Sequence, residues 1–326
     1  MKRNNQKRSL ITTKKAILPL LTIETRDMKK VNILLSTYNG EEYLEEQLRS
    51  LLSQRGVETD ILVRDDGSTD ATHDILDRWQ AAGHLTWYAG DNIGWAMSFI
   101  HLLSHAHDAD YYAFCDQDDI WLPDKLSAAT EQLIKAGDTP ALYCSNMNYY
   151  CDGKDEGIVK PIGQRFNLFT AMVQCLALGC TMVLNKPLAS TMKAHPPSSV
   201  IAHDFWAYQV ASAIGTVYYD DRSFLLYRQH GNNQIGQVRS WREVWRRRLK
   251  TLRSISTQHD REQLARQLLA CHSAEMSDTN RAIVEKVAHY NDSFLHRLRL
   301  AADRRYTMGH LSNDLWLRLR ILIGKL

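Results

Sequence analysis

Tyr111-Tyr112-Ala113-Phe114-Cys115-Asp116-Gln117-Asp118-Asp119 is an apolar run that stops on three carboxylates. Taken alone it reads as a strand running into a solvated acidic turn, ahead of a helix opened by Pro123, where a missing N–H costs nothing. Two earlier stretches repeat the arrangement. Val31–Ser36 runs into Thr37-Tyr38-Asn39-Gly40, and Asp60–Arg64 runs into Asp65-Asp66-Gly67-Ser68. In open α/β sheets ligands bind beyond the carboxyl ends of the strands, so three polar clusters at three such ends define one crevice.

Between these strands the apolar spacing turns helical. Glu42–Gln54 sets Leu44, Leu48, Leu51 and Leu52 on one face, Asp70–Trp79 keeps Ile75, Leu76 and Trp79 in register, and Gly94–His105 is a third helix. Leu85–Tyr88 and Ala141–Ser145 are further strands. The alternation predicts a mostly parallel, Rossmann-like α/β sheet with helices on both faces. Leu168–Leu184 is the nearest approach to a membrane span, but Gln174, Gly179 and two threonines interrupt it and it is short for that purpose. It reads as a buried helix followed by a buried strand. Ala16–Ile23 follows basic residues without a cleavage pattern, and Met28-Lys29-Lys30 looks like a natural start, so residues 1–27 are expected to lie outside the fold.

Charge is unevenly distributed. Residues 1–30 carry nine Lys/Arg and two acids, residues 31–230 carry 13 and 26, and residues 231–326 carry 18 and nine. An acidic middle suits cations, and basic ends suit an anionic partner. The six cysteines show neither zinc-type spacing nor a disulfide framework, which fits a reducing cytoplasm.

Asp116, Asp118 and Asp119 offer oxygen ligands of the kind that hold Mg²⁺ or Mn²⁺ beside substrate phosphates. Gly67, Ser68 and Asp70 are explained by a turn and helix cap, but two adjacent carboxylates at the strand end are not; they would suit hydrogen bonds to a base or ribose. Asn92-Ile93-Gly94 reads as a turn leading into a helix, with ligand contact open to it.

In order and spacing, Ser36-Thr37-Tyr38-Asn39-Gly40 with Tyr43-Leu44, Asp65 to Asp70, Asn92-Ile93-Gly94, and Asp116-Gln117-Asp118-Asp119-Ile120-Trp121 resemble family 2 glycosyltransferases. The resemblance runs from about Val31 to Gly236. It implies a GT-A fold, a nucleoside-diphosphate sugar donor, a divalent cation and inversion at the anomeric carbon. It places Thr37, Tyr38, Asn39 and Glu41 in the nucleotide pocket, with Asn92 and Gly94 nearby, and gives the base to Asp65 or Asp66. Asp116 and Asp118 face the ribose, metal and diphosphate. Many members carry Glu-Asp where this chain has His203-Asp204, leaving Asp204 as the sole carboxylate to deprotonate the acceptor. A helix N-cap is the plain alternative for Asp204. Tyr227 to Asn233 looks like the segment that closes over the diphosphate in rhamnosyltransferase-like members, with Arg228 as phosphate partner and His230 as metal or phosphate ligand. The same resemblance points to dTDP-L-rhamnose as donor. Gly179-Cys180-Thr181 would floor the acceptor side.

The chain therefore divides into an N-terminal extension (1–27), a catalytic domain (28–236) and a basic helical region (237–326). In the last, Trp241, Val244, Trp245, Leu249 and Leu252 recur at helical spacing among arginines, and Leu315 to Ile323 repeats the mixture. Such helices suit the surface of an anionic bilayer, where lipid-linked glycan acceptors sit, or a docked helical extension. Arginines also attract nucleic-acid phosphate, but no nucleic-acid module accompanies them and no such partner is expected. Three rivals remain. A sugar-1-phosphate nucleotidyltransferase would carry a Gly-rich, Arg-containing loop after the first strand. A phosphatase would continue its Asp motif differently from Asp119-Ile120-Trp121. A non-catalytic surface protein would not need Asp65, Asp66, Asp116, Asp118 and Asp204.

Overall fold

The structure, a computed structural model, describes residues 28–159, 165–230, 246 and 260–326. The expected N-terminal extension, the Gly231–Asn233 end of the closing segment and, Arg246 apart, the Trp241–Arg253 basic helix lie outside the described residues.

The strands are β1 (Lys29–Thr37), β2 (Val57–Asp65), β3 (Thr86–Ala89), β4 (Tyr111–Cys115), β5 (Ile120–Trp121), β6 (Ala141–Cys151), β7 (Lys154–Ile158), β8 (Val183–Asn185) and β9 (Thr216–Arg228). They form one sheet in the order β3-β2-β1-β4-β8-β6-β9-β5, with β7 on β6. Helices α1 (Leu44–Leu52), α2 (Thr72–Ala81) and α3 (Trp95–His105) connect the first four strands, which are all parallel. Beyond β4 the sheet is mixed: β8 lies antiparallel to both β4 and β6, while β6 and β9 run parallel. The parallel expectation holds for the half that carries the three strand-end clusters. Two apolar layers sandwich the sheet. Val31, Ile33 and Leu35 point to the α1 and α2 side, and Leu34, Leu62 and Phe114 to the α3 side, as alternation along a strand requires.

Leu168–Leu184 departs from its reading. Only one helical turn forms, α5 (Leu168–Ala171), followed by irregular chain, a 3₁₀ turn at Gly179–Thr181 and then β8. Asn167 and Thr170 make a reciprocal capping box, with Asn167 Oδ1 accepting from Thr170 N at 3.1 Å and Thr170 Oγ1 from Asn167 N at 3.2 Å. The run is apolar because it is buried on several sides, not because it is a long helix. Helices α4 (Lys125–Leu133), α6 (Lys186–Ala194) and α7 (His203–Ile214) complete the catalytic layers.

Among the described residues that follow are helices α8 (Asp260–His272), α9 (Asp278–Ala288), α10 (Phe294–Ala302) and α11 (Leu311–Leu322). Leu264, Leu268, Val284 and Val287 share one apolar core with Phe205, Trp206 and Tyr208 of α7, so α8 and α9 are built onto the catalytic layers. No helix among the described residues is long and apolar enough to cross a membrane.

The turn between α7 and β9 is a tight point. A Cβ on Gly215 would overlap the Pro140 carbonyl, and Thr216 N donates to that same oxygen at 3.0 Å. Gly215→Ala is expected to destabilise the fold by about 1–3 kcal/mol through this backbone clash, read as a lowered Tm.

Candidate functional site

The site forms where β1, β2 and β4 end. Gln117 organises it. Its Oε1 accepts from Thr37 Oγ1 at 2.6 Å and Tyr38 N at 2.8 Å, while its Nε2 donates to Tyr38 O at 3.2 Å. The loop after β1 is thus tied to the loop after β4. Gly40 makes this approach feasible, since a Cβ there would lie 2.6 Å from Gln117 Oε1. Asn39 takes a left-handed conformation (φ 48°), and its Oδ1 accepts from Thr69 N at 2.9 Å. Sequence reasoning did not single out Gln117, because a glutamine between aspartates carries no signal until its partners are known.

The paired carboxylates after β2 are both buried, and protein groups hold them. Asp65 accepts from Gly67 N, Ser68 N and Ser68 Oγ, and contacts His73 Nε2 at 2.8 Å. Four partners fill the capacity of a carboxylate. Asp66 pairs with the buried Arg64 and accepts from Ile93 N at 3.0 Å and Gly94 N at 2.9 Å. Arg64 also donates to Ser98 Oγ and Asp91 O. Both carboxylates are thus chiefly engaged in shaping the loops around them. Gly94, at φ 80°, takes a conformation that favours glycine, and Asn92 Oδ1 accepts from its N–H at 3.3 Å. Glu41 turns to α2, where its Oε2 accepts from Ala71 N at 2.9 Å.

The Asp116–Asp119 turn divides. Asp118 points to the segment after β9 and meets His230 Nε2 at 2.8 Å. Tyr43 stacks on that imidazole with centroids 5.1 Å apart. The other Tyr43 neighbour is Arg228, whose guanidinium lies 4.8 Å from the Tyr43 ring and 5.0 Å from Tyr150. Arg228 Nε donates to Asp118 O at 2.8 Å, its backbone N to Asp119 at 3.2 Å, and its Nη2 meets Glu46 at 2.5 Å. Arg228 therefore clamps the end of β9 to the acidic turn and to α1.

Asp119 faces inward. Its carboxylate, that of Asp116 and the Cys180 thiol bring ligand atoms within 4.8 Å of one another. The fully buried Lys125 ammonium lies close by, 3.7 Å from the Trp121 ring centre and without a hydrogen-bond partner among the described residues. Burial pulls Lys125 down to about 8, while the neighbouring Cys180, Cys115, Asp119 and Asp116 oppose that shift. Lys125 thus supplies the positive charge beneath the turn. Asp116 is raised to about 7 by burial first, then by repulsion from Asp118 and Asp204. That shared field places Asp204 within electrostatic reach of the acidic turn.

Asp204 lies in the first turn of α7, two residues after the capping position Ala202. Its Oδ1 accepts from Phe205 N at 2.6 Å and its Oδ2 from Gly179 N at 3.3 Å. Burial raises it to about 6 against those hydrogen bonds. His203 is different in kind. It stacks on Phe99 with centroids 3.9 Å apart and meets the edges of Phe114 and Trp95, and its ring nitrogens have no hydrogen-bond partner among the described residues. Burial holds its pKa down at about 3, so it is a neutral core ring and no substitute acid. Of the expected acceptor floor, Gly179 lies directly beside this ring, and Cys180 and Thr181 are buried.

A mixed sheet with this strand order, and acidic residues at the ends of its parallel strands, defines the GT-A nucleotide-sugar transferase fold. The profile of Glycosyl transferase family 2 matches residues 32–175. The chain is 32% identical over 231 residues to the dTDP-rhamnosyl transferase RfbG of Shigella flexneri, covering 65% of this chain and 77% of RfbG. It is 32% identical over 108 residues to the putative teichuronic acid biosynthesis glycosyltransferase TuaG of Bacillus subtilis, covering 32% of this chain and 42% of TuaG. Among solved structures, S. aureus TarS residues 1–349 in complex with UDP-GlcNAc superposes with a TM-score of 0.54 at 16% identity, covering 90% of this chain and 81% of that one. The chain belongs to glycosyl transferase family 2 and is a glycosyltransferase.

Two substitutions probe the site. Gln117→Ala removes the bonds that hold Thr37 and Tyr38, each worth about 1 kcal/mol, and should raise the donor KM about tenfold or more and lower Tm by several degrees. Gly179→Ala sets a methyl group against the His203 ring and displaces Asp204, so kcat should fall by at least about tenfold while donor affinity holds. Steady-state kinetics and donor titration read both.

Proposed function

We propose that the enzyme is an inverting, metal-dependent transferase that moves a hexose, L-rhamnose from dTDP-L-rhamnose, onto a glycan acceptor of bacterial surface polysaccharide. The observation that carries the mechanism is one half-buried carboxylate, Asp204, held near neutrality within the field of the Asp116–Asp119 turn. The donor reading rests on RfbG, whose name specifies a dTDP-rhamnosyl transferase. A different hexose donor is the second reading, since the TarS complex holds UDP-GlcNAc on the same fold.

Thr37, Tyr38, Asn39 and Asn92 line the nucleotide side, with Asp66 toward the base and Asp116 toward the ribose and diphosphate. The donor set for a cation would be Asp118 and His230, already paired at 2.8 Å, with Asp116 on the inner side of the same turn, where its carboxylate lies with that of Asp119 and the Cys180 thiol. Carboxylate oxygen with one imidazole nitrogen suits Mn²⁺ or Mg²⁺, and the repulsion from Asp118 and Asp204 that adds to burial in raising Asp116 is what a cation would relieve. A bound cation supplies Lewis-acid neutralisation of the departing diphosphate. Arg228 positions the turn that carries Asp118. Asp204 accepts the proton of the acceptor hydroxyl. The hydroxyl oxygen then attacks the anomeric carbon opposite the leaving group, the bond to the diphosphate oxygen breaks, and configuration inverts. A lipid-linked acceptor would place the enzyme at the inner face of the plasma membrane.

Burial raises Asp204 above its ordinary value, so the base is protonated below about 6 and free above it. The kcat/KM profile should therefore rise with pH through about 6, and Asp204→Asn should remove that limb together with about 10²–10⁴-fold of the rate. Asp118→Ala should abolish metal-dependent turnover. Full activity in both variants would overturn the mechanism. A panel of dTDP-, UDP- and GDP-sugars with Mn²⁺, followed by thermal shift and product analysis, tests the donor; a Tm rise confined to a donor other than dTDP-rhamnose replaces the sugar.

A further inference from the structure

We infer that the C-terminal pair α10 and α11 forms a docking face for an anionic phospholipid surface, independent of which sugar is transferred. The two helices pack antiparallel. Arg297 near the start of α10 reaches the Leu322 carbonyl at the end of α11 at 3.5 Å. Their inner faces are anchored, with Leu300, Leu317 and Ile321 buried and Tyr306 Oη donating to Ile283 O at 2.8 Å.

Their outer faces are apolar. On α11, Leu311, Leu315 and Leu319 recur every fourth residue, with Ile323 just beyond, and α10 adds Phe294, Leu295 and Leu298. These seven side chains are between 42% and 79% exposed. Four-residue spacing puts one stripe along α11 rather than scattered apolar points, and an apolar stripe left exposed along a helix suits an interaction surface.

Charge selects the occupant. Residues 294–325 carry seven Lys/Arg against two acids, and His296, Arg299 and Arg304 are exposed on α10 or just after it. A second copy would face the same net positive charge across an isologous contact, which opposes self-association. An anionic bilayer answers both the apolar stripe and the arginines. At 12 residues α11 is about 18 Å long, short of a hydrocarbon core of about 30 Å, so it lies in the interface plane.

The test is flotation of the full chain with vesicles of mixed phosphatidylglycerol and phosphatidylcholine, in parallel with sedimentation to read its mass. The triple variant Leu311→Ser, Leu315→Ser, Leu319→Ser alters only exposed positions and should keep its Tm and its donor hydrolysis rate. Its partition onto the mixed vesicles should fall at least about tenfold, and Arg299→Glu should weaken binding while steepening nothing on pure phosphatidylcholine. Undiminished flotation of the triple variant would overturn the inference. So would a dimer of the parent chain that the triple variant abolishes, since the face would then belong to a second copy. Donor turnover in solution is read separately, so a failed donor assignment leaves the flotation result interpretable.

Discussion

The crowding of carboxylates at one sheet edge is the constraint on which the rest of this molecule depends. Asp65, Asp66, Asp116, Asp118, Asp119 and Asp204 converge at or near strand ends that are buried or half-buried, where an uncompensated charge costs several kcal/mol. Each is answered differently. Backbone N–H groups and His73 fill Asp65; Arg64 neutralises Asp66; His230 meets Asp118; the Arg228 amide and nearby Lys125 serve Asp119. Asp116, Asp119 and Asp204 are the three whose raised values show that compensation is incomplete, burial being the first cause in each. Carboxylates with full sets of partners are thereby separated from under-compensated ones by their surroundings rather than by their position in the motif.

That separation explains how far the chain could be read before its structure. The parallel half was legible, because each strand is a short apolar run ending on a polar cluster and each helix keeps its leucines on one face. The crevice was legible for the same reason. What escaped were residues whose meaning is a partner elsewhere: Gln117, which bonds a loop 79 residues away; Arg64, which looks like a strand residue; and Lys125, which looks like the solvated start of a helix. Asp65, Asp66 and Glu41 were expected at the ligand, and each is largely taken up in holding a loop or capping α2. Leu168–Leu184 misled because a buried irregular segment and a buried helix have the same composition.

The second half of the site is assembled by aromatic contacts as much as by charge. Tyr43, at the start of α1, packs against both Arg228 and His230, so two residues of the segment that ends β9 share one ring. Arg228 carries its main interactions to the backbone of the acidic turn and to Glu46. Its placement accounts for how a strand that enters the sheet late in the chain is held in register with residues from its first quarter.

His203 limits which residues position 203 can hold. The ring fills a slot among Phe99, Phe114 and Trp95, and Gly179 has no Cβ because that ring occupies the space. A glutamate at 203 would bring a carboxylate into an apolar slot shaped for a neutral ring. The slot admits it only if the aromatic wall changes too, so the residue beside Asp204 is fixed by packing.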